Sequence, residues 1–451
     1  MPSLGQRAVK RYRFERLWTG ADWERDALVC VAEDGSVAEP TPGPAELIHG
    51  YALPGMPNLH SHAFQRAMAG LSEHATQGGD SFWSWRDAMY RFVDRLEPED
   101  VQAIAAQLYV EMLEAGYTSV GEFHYLHHDR DGSPYARRAE LGLRVAEAAR
   151  STGMDLVLLP VLYATRGFDG APAEHAQRRF ANDLDGFLRI VEELQAEGLR
   201  VGVAPHSLRA VPPELLAECV AAAPGPIHMH VAEQVKEVDE HIAARGARPI
   251  EWLLSHADVN ERWCLVHATH TTVEETHALA LSGAVAGLCP TTEANLGDGI
   301  PHVAELLARD GHFGIGSDSH VSVSVVEELR WLEYVQRLSH WRRNALASSV
   351  VPSTGTRLYR QALAGGARAL GGGLGAVSPG HRANIVVLDP EHPALVGRPL
   401  DALLDAYVFA SNRPAIQRVM VAGQWCVEDG RHVRREPVFA AYRRTIDKLA
   451  D

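Results

Sequence analysis

The sequence predicts an α/β protein in which a TIM-like (β/α)8 barrel spans residues 54–375. A small β-sandwich domain is assembled from both termini, residues 1–53 and 376–451, and ends in a helix. Three observations predict this. Eight short apolar or β-branched runs end in Gly, Pro, His, Asp or Asn. Helical patterns lie between them, and the two chain ends read as hairpin-like strand pieces instead. A length of 451 residues suits one large barrel with an appended module better than one small core.

In chain order, the barrel runs are MPNLHSH (56–62), YTSVGEF (117–123), DLVLLPVLYA (155–164) and RVGVAPHSL (200–208), then PIHMHVAE (226–233), CLVHATH (264–270), AVAGLCPTT (284–292) and FGIGSDSH (313–320). Between the first two lies PEDVQAIAAQLYVEMLEAG, where Val101, Ile104, Ala105, Leu108 and Met112 fall at helical spacing and Gly116 supplies a stop. The outer module takes LVCVAEDGSVAE from the N-terminal part, and ANIVVLDP and VMVAGQWCVEDGRHV from the C-terminal part; Glu-Asp-Gly marks a hairpin turn. GGGLGA at 371–376 fits a dinucleotide-loop pattern on paper. It follows a helix and precedes a strand, the reverse of the order such a loop needs, so it reads as a connector.

Charge narrows the function classes. A formal net charge of −15 argues against a general role on nucleic acid or an anionic membrane, so an anionic ligand must be caught locally by particular arginines. Cys30, Cys219, Cys264, Cys289 and Cys426 are far apart and form no Cys-x-x-Cys pair, which suggests neither a disulfide framework nor a thiolate zinc site. The basic N-terminus has no apolar h-region, and no apolar run reaches the ~18 residues of a membrane helix. The expectation is a cytoplasmic enzyme.

In a strand, residues i and i+2 share a face, so His60 and His62 can both aim into the barrel mouth. Barrel enzymes place their chemistry at the C-terminal strand ends. There, His230 closes the fifth run, His267 the sixth and Asp318 the eighth. Three neutral imidazoles and a carboxylate suit a borderline divalent ion such as Zn²⁺ or Fe²⁺, with one position left for water. His228 shares a face with His230 but lies about 6.6 Å deeper, at two strand rises, and reads as a packing residue. His320 reads as a supporting loop residue, and Arg66 as a structural or surface charge. The fourth run, APHSLRA, lacks a lysine that could bridge a second ion.

MPNLHSHAF, HMHVAE, LVHATH and GIGSDSH, in that order on eight strand-like segments, resemble the amidohydrolase superfamily and its mononuclear deaminase branch. The likeness covers essentially the whole chain; Asn384, where the wider group often has Asp, is a small departure away from the chemistry. The resemblance implies one divalent ion, zinc in preference to iron(II), ligated by His60, His62, His230 and Asp318. It makes Glu233, three residues after His230, the acid/base that moves protons to a departing nitrogen. His267 would hydrogen bond the attacking water and Asp318 would take a proton from it. That division of labour suits the chemistry: a metal lowers the pKa of water, hydroxide attacks an sp² carbon, and a carboxyl protonates the leaving nitrogen.

LHSHAFQRAMAGL, DSFWSWRDAMY, EFHYLHH, APHSLRAV and SDSHVSVSVVEELRWLEY further resemble the enzymes that deiminate N-formimino-L-glutamate in histidine breakdown. That small, dianionic substrate carries two carboxylates, which Arg can grip with paired bonds. The resemblance assigns its binding to Gln65, Arg86 in the long loop after the first run, Tyr125, His206 and Arg209. Trp83 and Trp85 read as loop packing. A purine or pyrimidine base deaminase is the alternative; it would show aromatic stacking and amide groups rather than two arginines. Relatives of this kind are commonly homodimers.

Overall fold

The computed structural model describes residues 9–74 and 82–450; Asp80 and Ser81 of the DSFWSWRDAMY stretch and the N-terminal residues 1–8 lie outside it. The strands are β1 (Lys10–Trp18), β2 (Trp23–Val31), β3 (Val37–Ala38) and β4 (Glu46–Pro54), then β5 (Met56–Ser61), β6 (Tyr117–His124), β7 (Asp155–Leu162) and β8 (Ala204–Pro205). They continue with β9 (Ile227–Val231), β10 (Trp263–His267), β11 (Val285–Leu288), β12 (His312–Ile315), β13 (Ile385–Leu388), β14 (Ile416–Val421), β15 (Gln424–Glu428) and β16 (Arg431–His432).

Strands β5 to β8 and β9 to β12 form two parallel four-stranded sheets, as short apolar runs joined by helical crossovers should. Single bridges close them into a barrel, Val203 with Ile227 and Ser207 with His230 on one seam, Ser61 with Asp318 on the other. The fourth strand is shorter than the run over 200–208 predicts. Only Ala204 and Pro205 pair continuously with β7, and pairing with β9 is reduced to single bridges at Val203 and Ser207 because Pro205 between them has no N–H to donate. Helix Pro98–Glu114 forms as predicted: Pro98 sits in its first turn, Glu97 and Asp100 cap each other's amides, and Gly116 at φ +92° turns the chain into β6. Helix Thr354–Ala369 lies so close to β12 that a Cβ on Gly365 would collide with the Phe313 carbonyl. GGGLGA is a left-handed connector, with positive φ at Gly371, Gly372, Gly373 and Gly375.

The terminal strands make one eight-stranded sheet in the order β16-β15-β14-β13-β4-β1-β2-β3, and β13 against β4 joins the two ends of the chain. It curls over itself in sandwich fashion. The rings of Tyr12 on β1 and Trp425 on β15 lie 5.8 Å apart although three strands separate them in the sheet, and Phe14, Val29, Ile48, Ile385, Val387 and Met420 fill the interior. Asn384 ties this module to the barrel. Its amide oxygen accepts from the Ala422 N–H at 2.8 Å and its nitrogen donates to Asp155 at 3.4 Å, while Asp155 also pairs with Arg200 and Arg382. An aspartate at 384 would face Asp155 with like charge, so the amide suits this junction.

Among the described residues, no helix is long and apolar enough to cross a membrane. One charged group is buried as a tie. Arg179 is 0% exposed and donates from Nε to the His128 carbonyl at 2.9 Å and from Nη1 to the carbonyls of Leu96 and Val93. Replacing it takes a donor from three buried carbonyls, of which Val93 alone keeps the Leu96 N–H. Arg179→Met should therefore lower the unfolding free energy by about 3 kcal/mol, read as an earlier midpoint in denaturant; an unchanged midpoint would show that water replaces the guanidinium there at no cost.

Candidate active site

His60 on β5, His62 just past its end and His230 on β9 converge at the C-terminal mouth of the barrel, all buried. The Nε2 of His60 lies 3.2 Å from that of His62 and 3.1 Å from that of His230. Asp318, just beyond β12, brings Oδ1 to 3.4 Å from His60 and 3.3 Å from His62. His62 Nδ1 donates to the Phe123 carbonyl at 2.9 Å, which leaves its Nε2 lone pair facing the cluster. Burial, ahead of the neighbouring charges, lowers His60 to about 3 and takes His62 and His230 below the ordinary imidazole range, so the rings are neutral. Burial opposes the Asp318 charge, but a hydrogen bond from His60 and the neighbouring His62 and His267 hold that carboxyl well below its usual range. Lone pairs packed this closely repel unless a cation sits among them. Donors ~2.1 Å from a tetrahedral ion stand roughly 3.4 Å apart, and the observed separations match that spacing.

His267 stands one step back. Its Nε2 is 4.0 Å from Asp318 Oδ2 and 3.7 Å from Glu233 Oε1, and its Nδ1 is 3.5 Å from Glu293 Oε1. Burial works against its charge, but Glu233, Glu293 and Asp318 push it up to about 10. Burial raises the Glu233 carboxyl to about 7. His267, Ala268, Asp318 and His320 all take positive φ, between 46° and 71°. Strain of about 1–3 kcal/mol each is characteristic of backbone held for a purpose other than stability.

The other predicted residues line the same cleft, which encloses about 710 Å³ counted to its open mouth: Gln65, Arg86, Tyr125, His206 and Arg209 all face it with His62, His230, Glu233, His267 and Asp318. Gln65 donates to the Tyr125 phenol at 2.7 Å, and the His206 ring packs 5.0 Å from that of His230. Arg86 belongs to helix Phe82–Val93, not to a loop; WRDAMYRFV continues at helical spacing once past the loop. Trp83 does more than pack this segment: Arg86 lies over its ring at 4.5 Å, Lys236 at 4.4 Å and Arg209 at 5.8 Å. Among the described residues, neither Arg86 nor Arg209 has an ion-pair partner within 4.0 Å. Burial works against the Arg209 charge, while Tyr163, Glu237, Tyr90 and Glu233 around it favour it.

Residues set aside in the sequence fall where that reading put them. His228 donates to the Ala369 carbonyl at 2.8 Å, away from the cluster; His320 contacts the hydroxyls of Ser61 and Ser317; Arg66 pairs with Glu111 at 2.6 Å. Sequence reasoning missed several groups. Tyr163 is held by Gln177 at 3.0 Å, Glu237 accepts the Glu233 amide at 3.0 Å, and Glu293 lies behind His267. Cys289 has its sulfur within 4.8 Å of donor atoms of His267 and Asp318, and burial pushes its thiol well above the ordinary range. Only Glu237, one helical turn after Glu233, carried a usable signal.

Residues 51–426 match the amidohydrolase family model. The chain is 51% identical to formimidoylglutamate deiminase of Pseudomonas aeruginosa, over 97% of this chain and 99% of that protein. It is 30% identical to a 5-methylthioadenosine/S-adenosylhomocysteine deaminase of Natronomonas pharaonis, over 85% and 82%. A crystal structure of an amidohydrolase from Brucella melitensis superposes with a TM-score of 0.92 at 46% identity, covering 98% of this chain and 100% of that one. With its barrel, its converging histidines and its relatives all agreeing over nearly the full length, the chain belongs to the amidohydrolase family.

Proposed function

We propose that this protein hydrolyses the formimino group of N-formimino-L-glutamate, giving N-formyl-L-glutamate and ammonia. The observation that supports the reading is one cleft that Arg86 and Arg209, without an ion-pair partner within 4.0 Å among the described residues, line together with Glu233 and the histidine cluster. The 51% identity to a formimidoylglutamate deiminase supports the same substrate. His60, His62, His230 and Asp318 would hold one divalent ion, zinc in preference to iron(II). When bound, such an ion acts as a Lewis acid and lowers the pKa of water.

The chain's residues supply the rest. Arg86 and Arg209 bind the two carboxylates with charge-assisted hydrogen bonds, and Gln65, Tyr125 and His206 orient the formimino end. Water adds through oxygen to the formimino carbon. Asp318 and Glu233 share the proton it loses, and His267 orients it by hydrogen bonding. Glu233, raised to about 7 by burial, is poised to give a proton to the leaving nitrogen at neutral pH. The nitrogen takes both protons of the added water, the second coming from the adduct's hydroxyl by way of Glu233 as the C–N bond breaks, so ammonia leaves and the formyl group stays on the glutamate nitrogen.

The exposed face of helix Val325–His340, with Trp331, Tyr334 and Leu338 followed by Trp341, supports a homodimer in which a second copy covers this apolar stripe. Sedimentation should give twice the chain mass, and Trp331→Arg should halve it; a parent protein of single-chain mass would end that reading.

The purified protein should carry about one divalent ion per chain and release ammonia from N-formimino-L-glutamate but not from guanine or cytosine. Glu233→Gln should keep the ion and lose about 10²–10⁴-fold in kcat; near-parental kcat would remove the proton-transfer role. Arg209→Met should lower kcat/KM roughly 100-fold for this substrate and far less for an N-alkyl formamidine without carboxylates. Equal losses on both would take Arg209 out of substrate recognition.

A further inference from the structure

His267 has a carboxylate at each ring nitrogen, and only one of them faces the cleft. Glu233 reaches Nε2 from the cavity; Glu293 lies behind, at 3.5 Å from Nδ1, and is 3% exposed beside a ring that is 1% exposed. Glu293 is anchored by the element it starts. It sits in the first turn of helix Pro290–Leu296, and its Oε1 accepts the N–H of Cys289 at 3.0 Å, so the carboxylate is pinned where it can meet the ring. Among the described residues His267 Nδ1 has no partner within hydrogen-bond geometry, and the Glu293 carboxylate is the group that stands nearest to taking its hydrogen. His267 also lies in left-handed backbone at the end of β10, so the strand's regular geometry does not orient its side chain.

We propose that Glu293 is a positioning residue for His267. Its carboxylate accepts the Nδ1 hydrogen, fixes the ring's orientation and tautomer, and keeps Nε2 turned toward Glu233 and Asp318. The separation of 3.5 Å is at the long limit for a hydrogen bond, and such bonds tighten when substrate and ion complete a site. The same logic governs histidines elsewhere: the group on one ring nitrogen decides what the other can do. The inference rests on reading His267 as the residue that orients the attacking water.

A purely structural account would leave Glu293 as the cap of its own helix. Glu293→Gln separates the two, because the amide oxygen can still accept the Cys289 N–H while the negative charge behind His267 is gone. In the metal-loaded enzyme, E293Q should lower kcat by about 10–100-fold with KM, ion content and thermal midpoint near parental values. In a His267→Asn background, the same substitution should add no further loss, because the two residues act as one unit. In protein labelled with ¹⁵N-histidine, a downfield Nδ1–H resonance absent from H267N should shift or vanish in E293Q. Parental kcat in E293Q, losses that multiply in the double variant, or an unmoved Nδ1–H resonance would each overturn the proposal. The resonance needs no turnover, so a parent enzyme inactive on N-formimino-L-glutamate would sink the substrate assignment while the Glu293–His267 pair was still decided.

Discussion

The first and last strands of the barrel meet through two backbone hydrogen bonds, and the site depends on them. The Asp318 N–H donates to the His60 carbonyl at 3.1 Å and the His62 N–H donates to the Asp318 carbonyl at 3.2 Å. The same three residues contribute three of the four side chains that converge at the mouth. Closing the barrel and assembling the donor cluster are therefore one event. Ser61, between the two histidines, points the opposite way, as alternation requires, and donates to Glu122 at 2.6 Å. Glu122 also accepts from the Ala63 N–H at 2.6 Å and from the Tyr109 phenol at 3.2 Å. Burial pushes that carboxyl to about 7, against three hydrogen bonds that lower it, so the end of β5, between His60 and His62, is clamped on its reverse side by a buried acid.

The cleft carries both signs of charge. Glu233 and Asp318 line it, with Asp298 interacting with both from outside the lining, and burial with its neighbours raises Asp298 to about 9. Arg209 and Arg86 line the same cleft from over the ring of Trp83. Guanidinium groups stacked on an indole are held in place without being neutralised. A ligand whose negative charge sits at one end and whose basic amidine nitrogen sits at the other is complementary to this field. A flat, neutral base would leave both half-buried guanidinium groups without a direct carboxylate partner.

Most of the barrel was legible because its signals are local. A histidine pair at i and i+2, glycine or proline ending an apolar run, and a helical repeat between runs each report on a few adjacent residues. What was less legible depends on distant neighbours. The fourth run meets β9 only at single bridges, Val203 with Ile227 and Ser207 with His230, because Pro205 between them has no N–H to donate. Arg86 was placed in a loop because the helix that carries it begins immediately after the stretch preceding Phe82. Glu293, Tyr163 and Cys289 had no sequence signal of function, since nothing in CPTTEANLG or VLYATRG says that these side chains are buried against a histidine. The mouth of a barrel gathers residues from eight separate turns, and their meeting is a property of closure alone.

Gln65 and Arg66 show how far that closure extends. They are consecutive in the short turn after His62, and they diverge: Gln65 enters the cleft and donates to Tyr125, while Arg66 leaves it. Arg66 is not therefore idle. Its Nη1 donates to the His320 carbonyl at 3.2 Å while its Nε pairs with Glu111, so it ties helix Pro98–Glu114 to the loop after β12. His320, held at φ +60° by that loop, contacts Ser61 and Ser317 with its ring, and Ser317 in turn takes a hydrogen bond from Asn58 on β5. A half-buried surface ion pair is worth little by itself. Here its geometric consequence is larger than its energy, because the loop it anchors is the one that presents Asp318 to His60 and His62.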